Sequence, residues 1–284
     1  DVLGSRGLGD VYKRQAVNAN GTVVYICDAL GKAFAIDAAS GQKKWQFSAG
    51  DAGRGLLVNG SELLIGTQTD AFFVNIETGE QIAKVTLGCE MSDITGFAVN
   101  SDKTLAYFGG RNGYIGAVNI KTHEAIKSLV VEKDNPNLLY EPVVAPNGSV
   151  FAGSKNGSVY NVKGDLSAVN WEYVHTGSSL ANAFNYSHPC VDSENRFYIT
   201  SGQTSNTTYI FDASGNVVDS WTYESGDNNQ KQMGGNNYLD GVIYSAFIGG
   251  SSKNGVFVGK YVGGERASSW STHGGDICGS CCVK

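Results

Sequence analysis

Residues 20–47 read NGTVVYICDALGKAFAIDAASGQKKWQF. Two apolar runs, Val23–Cys27 and Ala33–Ile36, lead into a strand-like tail that ends in Trp45 and Phe47. Asn20-Gly21, Gly31-Lys32 and Ser40-Gly41 separate them. Short β-branched and aromatic runs punctuated by Gly and Asn read as antiparallel strands joined by tight turns.

Weaker copies of this stretch follow to near the C-terminus. The turn into the second strand of each unit falls at Gly21, Gly60, Asp102, Gly148, Asn195 and Gly241, spaced 39 to 47 residues apart. The turn into the third strand recurs at Gly31, Asp70, Gly113, Gly157, Thr207 and Gly255. Two markers keeping one rhythm, with four short strands per period, predict an all-β fold, a β-propeller of four-stranded antiparallel blades. Six repeats are visible, and the native ring is expected to hold six to eight blades. Inner strands are expected at Gly96–Val99, Pro142–Ala145 and Pro189–Val191, and a last outer strand at Arg266–Ser271. No helical periodicity persists over a useful length.

Residues 16–275 read as one propeller domain, with a Cys-containing tail at 276–284. Residues 1–15, DVLGSRGLGDVYKRQ, match no part of the repeat and are expected to be a non-native leader. The Gly4-Ser-Arg-Gly7-Leu-Gly9 spacing there lacks the preceding strand of a phosphate loop.

The 38 Gly against 4 Pro fit many tight turns. A net charge of −6 argues against a nucleic-acid partner, which needs a basic stripe. No run of 18 apolar residues offers a membrane span.

The loops separate into two classes. Turns between strands one and two are short, as at Asn59-Gly60 and Asn147-Gly148. Connections at the opposite end lengthen along the chain: Gly88–Thr95, Glu132–Glu141, His175–His188 and Tyr223–Gly235. Long loops on a rigid scaffold are where binding usually sits. The candidate partner or ligand face therefore comprises Glu141, His175, Phe184, Tyr186, His188 and Tyr223, with a protein or glycan as the expected partner.

Residues 35–45, Ala-Ile-Asp37-Ala-Ala-Ser-Gly41-Gln-Lys-Lys-Trp45, resemble the A-x-D-x-x-x-G-x-x-x-W tryptophan-docking motif of the PQQ-like (quinoprotein-like) β-propeller repeat. The resemblance extends in weakening form over about residues 16–275. Asp37, Gly41, Trp45, Trp171 and Trp221 are its expected docking residues, with Trp45 packing between blades. The second copy has Ala83 where Trp would stand; the third has Asn119, His123 and Lys127 at the motif places.

That family holds quinoprotein dehydrogenases, which bind PQQ and calcium. It also holds non-enzymatic members, including the outer-membrane assembly lipoprotein class. The enzymes are longer and carry a vicinal Cys pair beside the quinone inside the ring. Here the one Cys-Cys pair is Cys281-Cys282, beyond the last blade. The resemblance thus implies a non-catalytic binding or scaffold propeller without cofactor, periplasmic or at the cell surface. The rivals are a PQQ-dependent dehydrogenase, a propeller hydrolase, or the spacer propeller of a larger adhesin or sensor.

The remaining chemistry is sparse. Cys278, Cys281 and Cys282 with His273 are few for a closed zinc site, and no metal site is assigned. His123, His175, His188 and His273 make no paired metal spacing. Asp93, Asp134, Glu141, Glu224 and Asp227 read as surface carboxylates, not as a glycosidase pair.

Overall fold

The computed structural model describes residues 14–93, 95–133, 136–174, 189–201, 207–222, 231–239, 241–248, 255–263 and 282–283. These residues form six consecutive antiparallel meanders, the blades of a β-propeller. Blade one is β1 (Arg14–Val17), β2 (Val23–Cys27), β3 (Lys32–Asp37) and β4 (Lys43–Ser48). Blade two is β5 (Gly55–Asn59), β6 (Glu62–Gly66), β7 (Asp70–Asn75) and β8 (Gln81–Thr86). Blade three is β9 (Ala98–Val99), β10 (Leu105–Gly109), β11 (Tyr114–Asn119) and β12 (Glu124–Val130). Blade four is β13 (Val143–Val144), β14 (Val150–Gly153), β15 (Ser158–Val162) and β16 (Val169–Val174). Blade five is β17 (Cys190–Val191), β18 (Phe197–Ser201), β19 (Thr207–Phe211) and β20 (Val217–Thr222). Blade six contributes β21 (Lys231–Leu239), β22 (Val242–Ile248) and β23 (Gly255–Tyr261). The outer strand expected at Arg266–Ser271 lies outside the described residues.

First strands touch first strands: β1 meets β5, β9 meets β13, and β17 meets both β13 and β21. They form the inner wall, and the half-exposed fourth strands such as β8, β16 and β20 form the rim. Three inner strands are shorter than expected. Pro142 and Pro189 have no N–H to donate, so pairing begins only at Val143 and Cys190.

A final short strand, β24 (Cys282–Val283), runs parallel to β5, pairing Cys282 with Val58. The backbone of residues 282–283 therefore lies along the inner edge of blade two.

The sheets of blades two, three and four bury both faces, which explains runs such as Leu56-Leu57-Val58, whereas blade one buries one face and leaves Val24, Ile26 and Phe34 half-buried on the other. In blade two, Leu56, Val58, Leu63, Ile65, Phe72 and Val74 pack toward blade one. The intervening Leu57, Leu64, Ala71 and Phe73 pack toward blade three. One pleat step thus assigns a side chain to one seam or the next.

The turns carry the repeat. Asp37 Oδ1 accepts from Ser40 N at 2.8 Å and Ser40 Oγ at 2.7 Å. Asn75, Asn119 and Asp212 close their own turns the same way, accepting from Thr78 N, Thr122 N and Ser214 N. These are Asx turns. The left-handed residue between strands one and two is Gly21, Gly60, Lys103, Gly148, Asn195 or Gly241. In blade three that residue is Lys103 (φ 56°), one place beyond the Asp102 that sequence spacing marks.

Candidate functional site

The docking motif positions everything else. Trp45 is buried and donates its Nε1–H to Ile76 O of blade two at 3.0 Å. Its ring lies on Gly79, where a Cβ would sit 2.8 Å from it. Trp171 repeats this against blade five, donating to Ala213 O at 3.0 Å and covering Gly215. In both seams one blade supplies the indole and the next supplies a left-handed glycine (φ 77° and 90°). Phe47 packs on Phe72, and Tyr173 on Phe211, one pleat period beyond each Trp.

The two middle seams differ. Ala83 occupies the indole's register opposite Phe73, and blade three presents His123, left-handed at φ 56°, in place of glycine. The His123 ring lies 4.1 Å from Phe73, and its Nε2 sits 3.0 Å from Glu62 Oε2. At the next seam Leu166 takes the left-handed position (φ 56°) and is buried in the same core cluster. Opposite it, Ile126 pairs with Ala117, which is the indole's register. Sequence spacing puts Lys127 there. The bulge of β12 falls later than in β4, between the pairs of Ile115 and Ala117, so Lys127 slips out of register.

Trp221 stands opposite Thr208, the register of Phe47 and Tyr173, while Asp219 stands at the indole's own place. Lys260 of blade six lies 4.3 Å from the Trp221 ring centroid and pairs with Asp219 at 3.1 Å. Gly41 (φ 69°) and Asp37 shape the blade-one turn.

The connections that link strand two to three and strand four to the next blade share one face. On it, segment 88–93 is stitched to both neighbours. Met91 N donates to Gln68 O of blade two at 2.8 Å, and Ser92 N donates to Gly109 O of blade three at 3.0 Å. Asp93 Oδ1 accepts from Arg54 Nη1 and from Arg111 Nη2, the latter at 2.6 Å. Arg54 also donates to Gln68 Oε1 at 3.3 Å, and Gln68 donates to Glu90 Oε2 at 2.9 Å. The Arg54 side chain is 12% exposed, whereas Arg111 and Asp93 are about one-third exposed (32% and 36%). Two cations around one anion leave a fixed, partly open polar centre.

Glu132 lies farther out on the same face and is 5% exposed. Its Oε1 accepts from Ser154 Oγ at 2.9 Å, Asn156 Nδ2 at 3.3 Å and Tyr160 OH at 3.3 Å; its Oε2 accepts from Asn137 N at 2.7 Å. Burial, with the Glu132 and Glu172 carboxylates adding to it, holds the Tyr160 phenol above its ordinary value, although a bond to Ser158 opposes this. A groove of about 700 Å³ opens here between β12 and blade four. Nothing in the sequence singles out Glu132, because a carboxylate in a polar loop reads as solvated surface.

Of the expected face residues, His175, Phe184, Tyr186, His188 and Tyr223 lie outside the described residues. Glu141 is 2% exposed and presses on Gly96, so it is an interior group and not an exposed contact. Cys27 and Cys190 are buried, and burial pushes the Cys27 thiol up to about 12. Burial likewise raises the half-buried Cys89 to about 11. Neither Cys27 nor Cys89 is a ready nucleophile at neutral pH.

A family model described as outer membrane protein assembly factor BamB matches residues 9–173. The chain belongs to that family. The match spans blades one to four, including both Trp–Gly seams' indoles. BamB from Moraxella catarrhalis superposes with a TM-score of 0.52 at 13% identity, covering 88% of this chain and 83% of that one. Kuenenia stuttgartiensis hydrazine synthase gives 0.61 at 14%, covering 88% and 80%. The computationally designed Ika8 protein gives 0.65 at 17%, covering 93% and 75%. At these identities the three structures share the fold with this chain. No curated protein sequence matches it. No helix among the described residues is long and apolar enough to cross a membrane.

Proposed function

We propose that this propeller is a non-catalytic scaffold of the cell envelope that docks a protein partner on the long-loop face, in the service of outer-membrane protein assembly. The observation that carries the reading is the Arg54–Asp93–Arg111 centre, held between two blades by backbone bonds on both sides. A surface already ordered before binding loses little entropy on association. The family supplies the setting: its description names an outer-membrane assembly factor. The one-third-exposed Arg111, held beside the more buried Arg54, suits a carboxylate on a partner protein, which a guanidinium group grips bidentately.

The test is photo-crosslinking in envelope membranes, with the crosslinker at Glu90 on this face or at Asn20 on the opposite one. Crosslinks to an outer-membrane assembly protein are expected from position 90 alone, and Arg111→Glu should weaken that complex at least about tenfold. Equal crosslinking from both faces, or an unchanged complex in Arg111→Glu, overturns the reading. Saturable binding of PQQ with calcium, seen in the quinone absorbance, would instead favour the dehydrogenase alternative.

A further inference from the structure

The seam between blades three and four contains a second site, independent of the docking reading. Its groove is walled by apolar side chains, among them Leu129 and Val169, and its polar surface includes Glu132, Asn156, Ser158, Tyr160 and Glu172, with Lys133 at its edge. At about 700 Å³ it falls within the usual size of small-ligand pockets. This seam has no aromatic side chain at the register that Phe47 and Tyr173 fill in the one–two and four–five seams. Where blade one has Phe47 and blade four has Tyr173, β12 offers Leu129 opposite Ile115.

Glu132 is the unusual group. Its carboxylate is almost wholly buried and takes four hydrogen bonds, all from neutral donors. No Lys, Arg or His pairs with Glu132 or Glu172 among the described residues. Lys133 lines the groove but is exposed and makes no ion pair with either carboxylate. A buried anion without a counter-charge is costly, and a cation entering the groove would offset that cost. The apolar walls favour a cation carried on a hydrocarbon stem.

We infer that the blade three–four groove binds an alkylammonium or alkylguanidinium group, with Glu132 as the principal anion, Glu172 as a second, and the apolar walls around the stem. Both a free aliphatic amine and a Lys or Arg side chain of a protein segment present this chemistry.

Calorimetric titration of the full chain decides it, using n-butylguanidine, n-butylamine and the tripeptide acetyl-Val-Arg-Val-amide. Butanol and pentanoate serve as controls of equal stem length. Saturable binding of the cations alone is expected, weakened about tenfold or more in Glu132→Gln, as for loss of a charge-assisted bond. Val174→Trp, a surface substitution at the groove, should weaken it as well while leaving Glu132 in place. Absence of saturable binding by the wild-type chain overturns the inference. So does equal binding of butanol, or unchanged affinity in a folded Glu132→Gln protein. If Glu132→Gln fails to fold, Glu172→Gln and Val174→Trp decide, and unchanged affinity in both overturns it. Tighter binding of the tripeptide than of butylguanidine supports a protein segment as the natural source; the reverse supports a free amine.

Discussion

The seam between blades one and two and the seam between blades two and three meet the same packing demand with opposite parts. In the first, blade one supplies the bulk (Trp45) and blade two the space (Gly79). In the second, blade two supplies the space (Ala83) and blade three the bulk (His123). The exchange has a backbone cost: His123 must hold φ at 56°, a region that suits glycine. The stack on Phe73 and the contact with Glu62 offset that cost. A seam therefore conserves filled volume rather than residue type, in keeping with the close packing of protein interiors.

The contrast can be broken most severely at its regular end. Trp45→Ala should cost about 3–5 kcal/mol, the usual range for emptying a buried Trp site. A urea-unfolding midpoint would measure it, and a change within about 0.5 kcal/mol would show that the indole is not what fills this seam.

The reversed seam predicts a smaller effect and a rescue. His123→Gly should cost about 1 kcal/mol, the lost stack being partly offset by relief of the left-handed backbone. Adding Ala83→Trp to His123→Gly should recover that loss, while Ala83→Trp alone, with His123 still in place, should overpack by about 1–3 kcal/mol. A double-mutant cycle on thermal melts checks the coupling. Additive effects would sink the idea that the two residues share one space.

The smallest effect lies in the turns that both seams use. The Ser40 hydroxyl, then the Ser40 N–H, hold the Asp37 carboxyl below its ordinary value of 3.8. A lowered carboxylate pKa means that its contribution is fully present above 3.8 and is lost as pH falls through the lower folded-state value. Asp37→Asn should therefore flatten the acid limb of a stability–pH profile slightly and leave neutral pH almost unchanged. An identical acid limb in the variant would remove Asp37 from the account.

The blades were legible because their signals are local. Asn-Gly turns and both-face apolar runs such as Leu63-Leu64-Ile65 place the second and third strands of each blade within a residue, whereas a first strand can miss by more, β21 beginning at Lys231 and not at the expected Asn236. The Trp45 motif was legible because all its parts are present at fixed spacing. Ile126 was not, since one late bulge in β12 shifts the register and spacing then points to Lys127. Trp221 has a similar history: its blade pairs it with Thr208, two residues past the indole's place. Glu132 was illegible for a different reason. Its donors come from Asn137, Ser154, Asn156 and Tyr160, which only the folded loop and the next blade bring together. Chemistry assembled across a seam leaves no contiguous motif.

The half-and-half construction of each seam also bears on how such a chain can be recombined. A blade carries one half of the lock before it and one half of the lock after it. Joining blades one and two of this chain to a standard third blade would set Ala83 against a glycine and leave a hole. Joining a standard second blade to blade three would drive a Trp onto His123. A crossover at the seam after blade four, where Trp171 meets Gly215, matches the common pattern on both sides. Gene shuffling among relatives should therefore tolerate breakpoints there, and blades two to four should be inherited as a block.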